Sequence, residues 1–287
     1  MTLQEILKKA GQEQWATGHF NASELDQMRA VVEACKEIGA PAIIGTSEGE
    51  RKHLGARGAV ALRDAMREDY GIPIFLNADH HKSVQAAKEA VDAGYDSVHI
   101  DLSALPFEEN VVGTLKVVEY AQSKNPEVSI EGELGYLKGE SKIQNEKIEV
   151  SSNDYTQTEE AKEFVERTGV SRLAVVVGNI HGISREEPDL DIERIREIRK
   201  AIPEEVVLVL HAGSGIPDEQ IKAAIAAGIA NIHINTELRV AFTDALKKTF
   251  AEDSDEVAMY KLDAPAIEAM KNLVKKKLEL FGAVDKI

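Results

Sequence analysis

Short, uninterrupted runs of apolar residues alternate with longer amphipathic segments along almost the whole chain. Runs such as 173–177 and 206–210 are continuously apolar rather than alternating, which is typical of strands buried on both faces of a parallel sheet. Eight strands are predicted on this basis, at residues 14–20, 41–45, 73–77, 97–101, 128–133, 173–177, 206–211 and 231–234. A chain with this pattern has to cover both faces of its sheet with helices.

The segments between the runs supply those helices, because they have helical periodicity and often end at a glycine or before a proline. Helices are predicted at residues 23–38, 50–70, 83–93, 107–124, 158–168, 192–201, 217–227, 236–250 and 264–280. Eight strand–helix units in 287 residues fit a closed (β/α)8 TIM barrel of the α/β class better than an open sheet. We therefore expect one barrel domain over residues 1–287, extra C-terminal helices, and mobile lids at the long connections 134–157 and 178–191.

The composition limits the partners of this chain. Its formal net charge is -16, which would repel nucleic acid and anionic membranes, so neither is an expected partner. The sequence has no apolar stretch long enough to span a membrane and no secretory signal at its start. Cys35 is the single cysteine. Because one cysteine cannot form a disulfide framework, it is predicted to be a buried thiol in a cytoplasmic protein.

Residues that carry acid/base and metal chemistry gather where the predicted strands end. They are Asp79, His80, Asp101, Glu131, Glu133, His181 and His211. The carboxyl ends of barrel strands all meet at one mouth, so these side chains are predicted to lie together. Three imidazoles and a carboxylate favour a divalent-cation site, with zinc as the default ion for imidazole ligands. His81 is expected to pack behind the site, because adjacent residues in a strand point in opposite directions.

Two glycine-rich turns carry two of these histidines. They are residues 178–182, around His181, and residues 211–215, which begin at His211. The second turn leads into a predicted helix. Backbone N–H groups exposed at such turns can bind a phosphate, with help from a helix N-terminus. We therefore expect an anionic group of the substrate to lie beside the metal site.

Several separate stretches of the chain match one known family. They are Phe20-Asn21, Ser47-Glu48-Gly49, Asp79-His80-His81 and residues 100–110, 131–135, 178–182, 211–215 and 235–238. On these stretches, and over nearly its whole length, the chain resembles the class II, metal-dependent ketose-bisphosphate aldolases, which include the fructose- and tagatose-bisphosphate aldolases. The family's reaction would be reversible cleavage of a phosphorylated ketose into dihydroxyacetone phosphate and an aldehyde. The resemblance also implies a homodimer or homotetramer.

The resemblance assigns roles to individual residues. It implies a zinc ion, or another divalent metal, held by His80, His181 and His211, with Glu133 as an additional or alternate ligand, and it also allows for a monovalent cation. Asp79 would remove the proton from the hydroxyl at the carbon whose bond breaks, and return it in the reverse direction. The positions that would bind the sugar phosphate are Ser47, Asp101, Gly182, Arg185, Gly213, Ser214, His233, Asn235 and Thr236. Arg185 stands where the family often has lysine.

The chain departs from the family pattern at four positions. Ala212 replaces a glycine of the 211–215 turn, His233 replaces an asparagine that holds the substrate, and His19 replaces a small residue. Ser141 stands where the family tends to carry the glutamate that moves the carbon-bound proton, and the adjacent Glu140 is expected to take that role. These departures fall in the residues that hold the substrate, whereas the metal ligands and Asp79 match.

Three other functions are consistent with parts of the pattern. A sugar-phosphate-binding protein with an attenuated active site is suggested by the departures from the family. A metal-dependent phosphoesterase is suggested by Asp79-His80-His81 alone, although such enzymes need several aspartates to bridge two metals and only Asp101 is well placed to help. A Schiff-base aldolase is disfavoured, since no lysine lies at the end of the sixth predicted strand.

Overall fold

The computed structural model describes residues 1–144, 148–184, 188–253 and 255–287. The strands in these residues are β1 (Thr17–Asn21), β2 (Ala42–Ser47), β3 (Ile74–His81), β4 (Ser97–Ile100), β5 (Ser129–Leu134), β6 (Gly139–Ile143), β7 (Arg172–Val175), β8 (His181–Ile183), β9 (Val207–Leu210) and β10 (Ile229–Ile234). Eight of them form a closed barrel of parallel strands in the order β1-β10-β9-β7-β5-β4-β3-β2. Each strand predicted from the sequence overlaps one of these eight, so the predicted (β/α)8 barrel is confirmed.

The helices are α1 (Leu3–Gln12), α2 (Leu25–Ile38), α3 (Glu48–Leu54), α4 (Ala56–Tyr70), α5 (Val84–Ala93), α6 (Phe107–Lys124), α7 (Thr158–Thr168), α8 (Ile192–Ala201), α9 (Asp218–Ala227), α10 (Thr236–Glu252), α11 (Met259–Leu262) and α12 (Ala264–Leu280). They lie outside the barrel, as the continuous apolar strands require. The predicted C-terminal helices are present, and α12 packs against α2 and α10. None of the helices in the described residues is long and apolar enough to cross a lipid bilayer.

Helix α1 is absent from the sequence prediction. It begins with a capping box in which the Thr2 hydroxyl accepts from the Glu5 N–H, while the Glu5 carboxylate accepts from the Thr2 N–H. Its buried residues are Leu3, Ile6, Leu7 and Ala10, a spacing that puts them on one face. That face packs against β9 and β10, at the end of the barrel opposite the mouth.

The other differences concern the ends of elements and the two long connections. The predicted helix 50–70 is divided into α3 and α4 at Gly55, which has a positive φ of 77°. The two connections predicted to be lids contribute β6 and β8, which pair with each other in a separate two-stranded sheet. We call β6 and β8 the lid sheet.

The centre of the barrel is polar, in contrast to the branched apolar residues that usually fill such barrels. The buried polar side chains there are those of Thr17, His19, Asn77, Ser97, Ser129, Glu131, Arg172 and Asn231. Hydrogen bonds join them across strands: Ser97 donates to Asn77 over 2.6 Å, and Asn77 Nδ2 lies 3.0 Å from His19 Nε2. This network supports the floor of the barrel mouth.

Candidate active site and metal centre

The carboxyl ends of the barrel strands surround a cavity of about 130 Å³. Ten residues predicted from the sequence line this cavity, namely Ser47, Asp79, His80, His181, Gly182, His211, Ser214, His233, Asn235 and Thr236. The remaining lining residues are Asn21, Ser141, Ala212 and Arg239. The side chains that were predicted from separate strand ends are therefore brought to one place.

An irregularity at the end of β3 brings two adjacent residues to this cavity. In a regular strand Asp79 and His80 would face opposite sides of the sheet. The register between β3 and β4 shifts between Ala78 and His81, and His80 has a φ of 48°, which is uncommon for a residue with a Cβ. Both Asp79 and His80 consequently line the cavity, whereas His81 is fully buried outside its lining.

Two carboxylates fix the orientation of two imidazole rings. Nδ1 of His80 lies 3.1 Å from Asp101 Oδ2, and Nε2 of His211 lies 2.6 Å from Glu131 Oε1. The remaining nitrogens, His80 Nε2 and His211 Nδ1, face each other at 2.9 Å. A carboxylate that binds one ring nitrogen and leaves the other for an ion is the usual arrangement behind a metal-binding histidine.

Six of the chain's eight histidines form a continuous cluster of rings. The centroid of the His80 ring lies 4.6 Å from those of His99 and His211 and 4.9 Å from that of His181. His233 lies 3.9 Å from His211 and stacks on His19 at 3.5 Å. Burial lowers the pKa of His181 to about 3, so this imidazole is neutral at pH 7 and keeps a lone pair for a metal ion.

The donor atoms around this cluster fit a divalent cation. Ligand atoms of Asp79, His80, His99 and His211 all lie within 4.8 Å of one another, and so do those of a second group formed by His80, Asp101 and Glu133. Asp79 Oδ1 is buried here without a hydrogen-bond partner, whereas Glu133 Oε2 lies 3.1 Å from His99 Nε2. Buried polar atoms are normally satisfied, so the unsatisfied oxygen of Asp79 fits a site that holds an ion or a substrate hydroxyl group.

Asp101 and Glu133, both predicted from the sequence, lie behind His80 rather than on the cavity lining. Asp101 accepts a 2.6 Å hydrogen bond from the Ser103 hydroxyl, and Glu133 Oε2 lies 3.8 Å from His80 Nδ1. Burial raises the pKa of Asp101, but contact with His80 and Ser103 outweighs this and holds it well below its ordinary value. Asp101 is therefore ionised and can orient His80.

Asp79 is a buried carboxylate in which one oxygen accepts a hydrogen bond and the other has no hydrogen-bond partner. Its Oδ2 accepts a 3.0 Å hydrogen bond from Asn21 Nδ2, which also donates to Glu50. Its Oδ1 has no hydrogen-bond partner and lies 3.4 Å from His233 Nδ1. Burial raises the pKa of Asp79, but His80 and His233 outweigh burial and hold the pKa well below its ordinary value, so this group is ionised at neutral pH.

The opposite side of the cavity has the features of an anion site. Helix α10 begins at Thr236, and its N-terminus reaches the cavity lining, where a helix carries partial positive charge. The Ser214 hydroxyl accepts from the N–H groups of Asn235 and Glu237, each over 3.3 Å. Gly182, in the lid sheet, also lines the cavity.

Gly213 is placed differently from the other residues predicted to bind phosphate. Its N–H donates to the carbonyl of His233 over 2.9 Å, and it does not line the cavity. A Cβ at this position would lie 2.7 Å from Ile232 Cγ2. The glycine at 213 is therefore required for close packing of the turn against β10.

The lid sheet covers the cavity, but it does not bring Glu140 to it. The Glu140 carboxylate pairs with Lys142 over 2.6 Å, and 74% of its side chain is exposed. The adjacent Ser141 lines the cavity instead, and its carbonyl accepts a 3.3 Å hydrogen bond from Arg239. The assignment of Glu140 as an acid/base stays a prediction. Arg185 lies outside the described residues.

Four residues in or directly behind the site were not predicted to take part in its chemistry. They are Asn21, Glu50, His99 and Arg239. His99 is fully buried in β4, where its Nδ1 accepts from the backbone N–H of His80 over 3.2 Å. Its sequence signal is a single polar residue between Val98 and Ile100. Arg239 pairs with Glu50 over 2.5 Å, and its signal is its position one helical turn after Thr236.

Comparison with known proteins agrees with this geometry. A family model described as fructose-bisphosphate aldolase class-II matches residues 1–286. A Staphylococcus aureus protein named fructose-bisphosphate aldolase is 38% identical over 285 residues, covering 98% of this chain and 97% of that protein. A Bacillus subtilis protein named probable fructose-bisphosphate aldolase is 37% identical over 286 residues, covering 99% and 98%.

The fold is also that of solved aldolases. The crystal structure of the YdjI aldolase from Escherichia coli K12 superposes with a TM-score of 0.83 at 31% identity, covering 98% of this chain and 97% of that one. A putative fructose-1,6-bisphosphate aldolase from Coccidioides immitis gives a TM-score of 0.84 at 25% identity, covering 99% and 96%. The chain therefore belongs to the class II fructose-bisphosphate aldolase family, and it is an aldolase, a carbon–carbon lyase.

Proposed function

We propose that this chain is a zinc-dependent aldolase that reversibly cleaves a fructose- or tagatose-bisphosphate-like ketose into dihydroxyacetone phosphate and an aldehyde. The observation that carries the proposal is the ionised Asp79 carboxylate, which lies at the cavity beside converging nitrogens of His80 and His211. Membership of the family supports carbon–carbon cleavage. The names of the S. aureus and B. subtilis relatives support the bisphosphate substrate.

The residues that would hold the ion are His80 and His211, whose Nε2 and Nδ1 converge, and His181, whose ring centroid lies 4.9 Å from that of His80. Glu133 would be an additional or alternate ligand, since its buried Oε2 lies 3.8 Å from the His80 ring, although in this structure it contacts His99 Nε2 at 3.1 Å. A divalent ion in this place supplies Lewis-acid polarisation of the substrate carbonyl. Neutral imidazoles favour zinc over magnesium or calcium, which prefer oxygen ligands.

Asp79 carries out the proton transfer in cleavage. Its free Oδ1 accepts the proton of the hydroxyl on the carbon whose bond breaks. The O–H electron pair then forms the carbonyl of the released aldehyde, while the electrons of the carbon–carbon bond pass to the fragment that retains the ketone. Asn21 holds the other carboxylate oxygen, so that Oδ1 stays directed toward the substrate.

The phosphate of the substrate binds on the side formed by Gly182, Ser214 and Thr236, where the N-terminus of α10 attracts an anion. Ser47, His233 and Asn235 also line the cavity and are proposed to contact substrate hydroxyl groups. Glu140 is proposed to move the carbon-bound proton. To do so, it has to leave its ion pair with Lys142 and enter the cavity.

The test is an aldol cleavage assay on fructose 1,6-bisphosphate and tagatose 1,6-bisphosphate with the zinc-loaded protein. Exhaustive chelation is expected to abolish activity, and added zinc is expected to restore it. Asp79→Asn is expected to lower kcat by about 10²–10⁴-fold, the usual range for loss of a general acid/base. The exposed carboxylate variant Asp92→Asn serves as the matched control. Full activity after exhaustive chelation would refute the proposal.

An alternative proposal is that the chain binds a sugar phosphate but turns it over poorly. It is favoured by the exposed position of Glu140 and by His233 at a substrate-binding position. Calorimetry would support it through tight binding of the bisphosphates without cleavage. A phosphoesterase is less well supported, because Asp101 engages His80 and Ser103 and lies outside the cavity lining. The expected homodimer or homotetramer is testable by light scattering.

A further inference from the structure

The barrel contains a fully buried arginine below the proposed metal centre. Arg172 is the first residue of β7, and its side chain has no solvent exposure. Removing a guanidinium group from water is costly unless each of its N–H groups finds a partner. The partners of Arg172 therefore indicate what the charge does in this position.

Three side chains from two other strands hold the guanidinium. Nη1 lies 2.7 Å from Glu131 Oε2, Nε donates to Ser129 Oγ over 3.1 Å, and Nη2 donates to Asn77 Oδ1 over 3.1 Å. Glu131 and Arg172 are register partners in the pairing of β5 with β7. Because the guanidinium group is planar and rigid, contacts on three sides fix it in a single orientation.

Glu131 connects this arginine to a proposed metal ligand. Its Oε1 lies 2.6 Å from His211 Nε2, and its Oε2 is the atom that Arg172 contacts. The first oxygen also lies 3.9 Å from His99 Nδ1. The two oxygens of the Glu131 carboxylate are thus held by different partners. Because Oε1 is fixed in this way, it also fixes the orientation of the His211 ring.

The result is a continuous path from the barrel core to the cavity. With Nε2 of His211 engaged by Glu131, Nδ1 is the nitrogen that faces His80 Nε2, at 2.9 Å. A carboxylate that orients a ligand histidine from behind is worth about 10–100-fold in metal affinity. Here that carboxylate itself depends on a buried cation for its position.

We propose that Arg172 is a positioning residue for the metal centre, which acts through Glu131 to hold Nδ1 of His211 toward the ion. The inference rests on the proposed function, since it requires that His211 binds a metal. Arg172 touches neither the cavity nor the substrate, so its effect is on affinity for the ion and on the geometry around it.

The experiment measures zinc affinity separately from folding. The metal-free forms of the unaltered protein and of Arg172→Met are titrated with zinc in competition with a chromophoric chelator, and stability is measured by urea unfolding. Arg172→Met is expected to weaken zinc binding about 10–100-fold. It is also expected to change the visible absorption spectrum of the cobalt-substituted protein, which reports the geometry around the ion.

The matched control is Arg63→Met. Arg63 is also buried, and its Nη1 pairs with Asp96 over 2.6 Å, but Asp96 precedes β4, at the end of the barrel away from the cavity. This variant is expected to lose stability while zinc affinity and the cobalt spectrum stay unchanged. A purely structural role for Arg172 predicts the same behaviour for Arg172→Met, and that result would overturn the proposal.

Two further variants keep the test decisive if Arg172→Met does not fold. Arg172→Lys keeps the charge but cannot reach three partners at once, and it is expected to retain zinc affinity between that of Arg172→Met and the unaltered protein. The double variant Arg172→Met/Glu131→Gln removes both buried charges and is expected to fold while zinc binding stays weak. Recovery of full affinity in the double variant would contradict the proposal. Failure of the unaltered protein to bind zinc would instead overturn the proposed metal centre itself.

Discussion

Replacing Ala212 with glycine is expected to stabilise the protein, although glycine normally destabilises a fold. Ala212 has a φ of 57°, in the left-handed region where a Cβ costs roughly 1–2 kcal/mol. Ala212 lines the cavity and is only partly buried, so removal of its methyl group sacrifices little buried apolar surface. Glycine lacks the Cβ clash but loses about 0.5–1 kcal/mol more in backbone entropy on folding. The net effect is a stabilisation of about 0.5–1 kcal/mol.

The size of the effect on thermal unfolding follows from the length of the chain. An unfolding entropy of about 2.1 cal/mol/K per residue, over 287 residues, gives roughly 0.6 kcal/mol/K. The Tm of Ala212→Gly is therefore expected to rise by about 1–2 °C. The measurement is differential scanning calorimetry of the metal-free protein, supported by urea unfolding at constant temperature.

The control is the same substitution at an alanine with ordinary helical geometry. Ala61 is exposed in the interior of α4, where alanine-to-glycine substitution costs about 1 kcal/mol. Ala61→Gly and Ala212→Gly are thus expected to change stability in opposite directions. If both variants lose stability by similar amounts, the backbone at Ala212 is not strained, and the reasoning fails.

Three other predictions concern the cavity and its surroundings. Gly182→Ala is expected to disrupt the lid sheet, because Gly182 has a φ of 102° and a Cβ there would lie 2.4 Å from the Lys142 carbonyl oxygen. Substrate binding should weaken as a result, which a rise in KM would show. Burial lowers the pKa of His19 from 6.5 to about 4, so the unfolded chain binds more protons between these values and stability falls as the pH drops from 6.5 toward 4. His19→Asn is expected to flatten that fall in urea unfolding series, and an unchanged slope would contradict it. Glu140→Gln is expected to lower kcat by about 10²–10⁴-fold if Glu140 moves a proton, with the exposed Glu160→Gln as control; an unchanged kcat would remove Glu140 from the mechanism.

The barrel was predictable because a strand that is buried on both faces is apolar at every position, instead of alternating between apolar and polar residues. The run at 206–210 shows this directly, since the residues of β9 are uniformly apolar and fully enclosed. Part of the proposed metal centre was predictable for a related reason: a histidine or carboxylate shortly after such a run has to lie near the barrel mouth. His80 and His211 could therefore be placed without any knowledge of which strands are neighbours, whereas His181 lies in β8 of the lid sheet rather than at the end of a barrel strand.

Polar residues inside the barrel were harder to interpret. The predicted sixth strand begins at Leu173 and leaves Arg172 outside, because a charged residue interrupts an apolar run. Its buried position depends on the register that pairs Arg172 with Glu131, and register between distant segments is not contained in local periodicity. His99 was missed for the same reason. A single polar residue between two apolar ones does not show where its side chain lies until the neighbouring strands are known.

Helix α1 is a different case, because its signals are local. The Thr2 and Glu5 capping box and the apolar spacing at 3, 6, 7 and 10 can both be read in the sequence. The lid sheet has no such signal. It pairs Gly139 with His181, which lies 42 positions later in the chain, with a shift of register before Ile143 and Ile183, through two segments whose composition predicts only exposed loops.

If His181 binds the ion as proposed, the lid sheet couples access to the cavity to coordination of that ion. β8 begins with His181, a proposed metal ligand, and is hydrogen-bonded to β6, whose Ser141 lines the cavity. Any outward movement of β6 large enough to admit a ketose phosphate would pull on β8, and thereby on an imidazole of the metal site. Substrate exchange and loss of a ligand would then share one energy barrier, so tighter metal binding would slow product release.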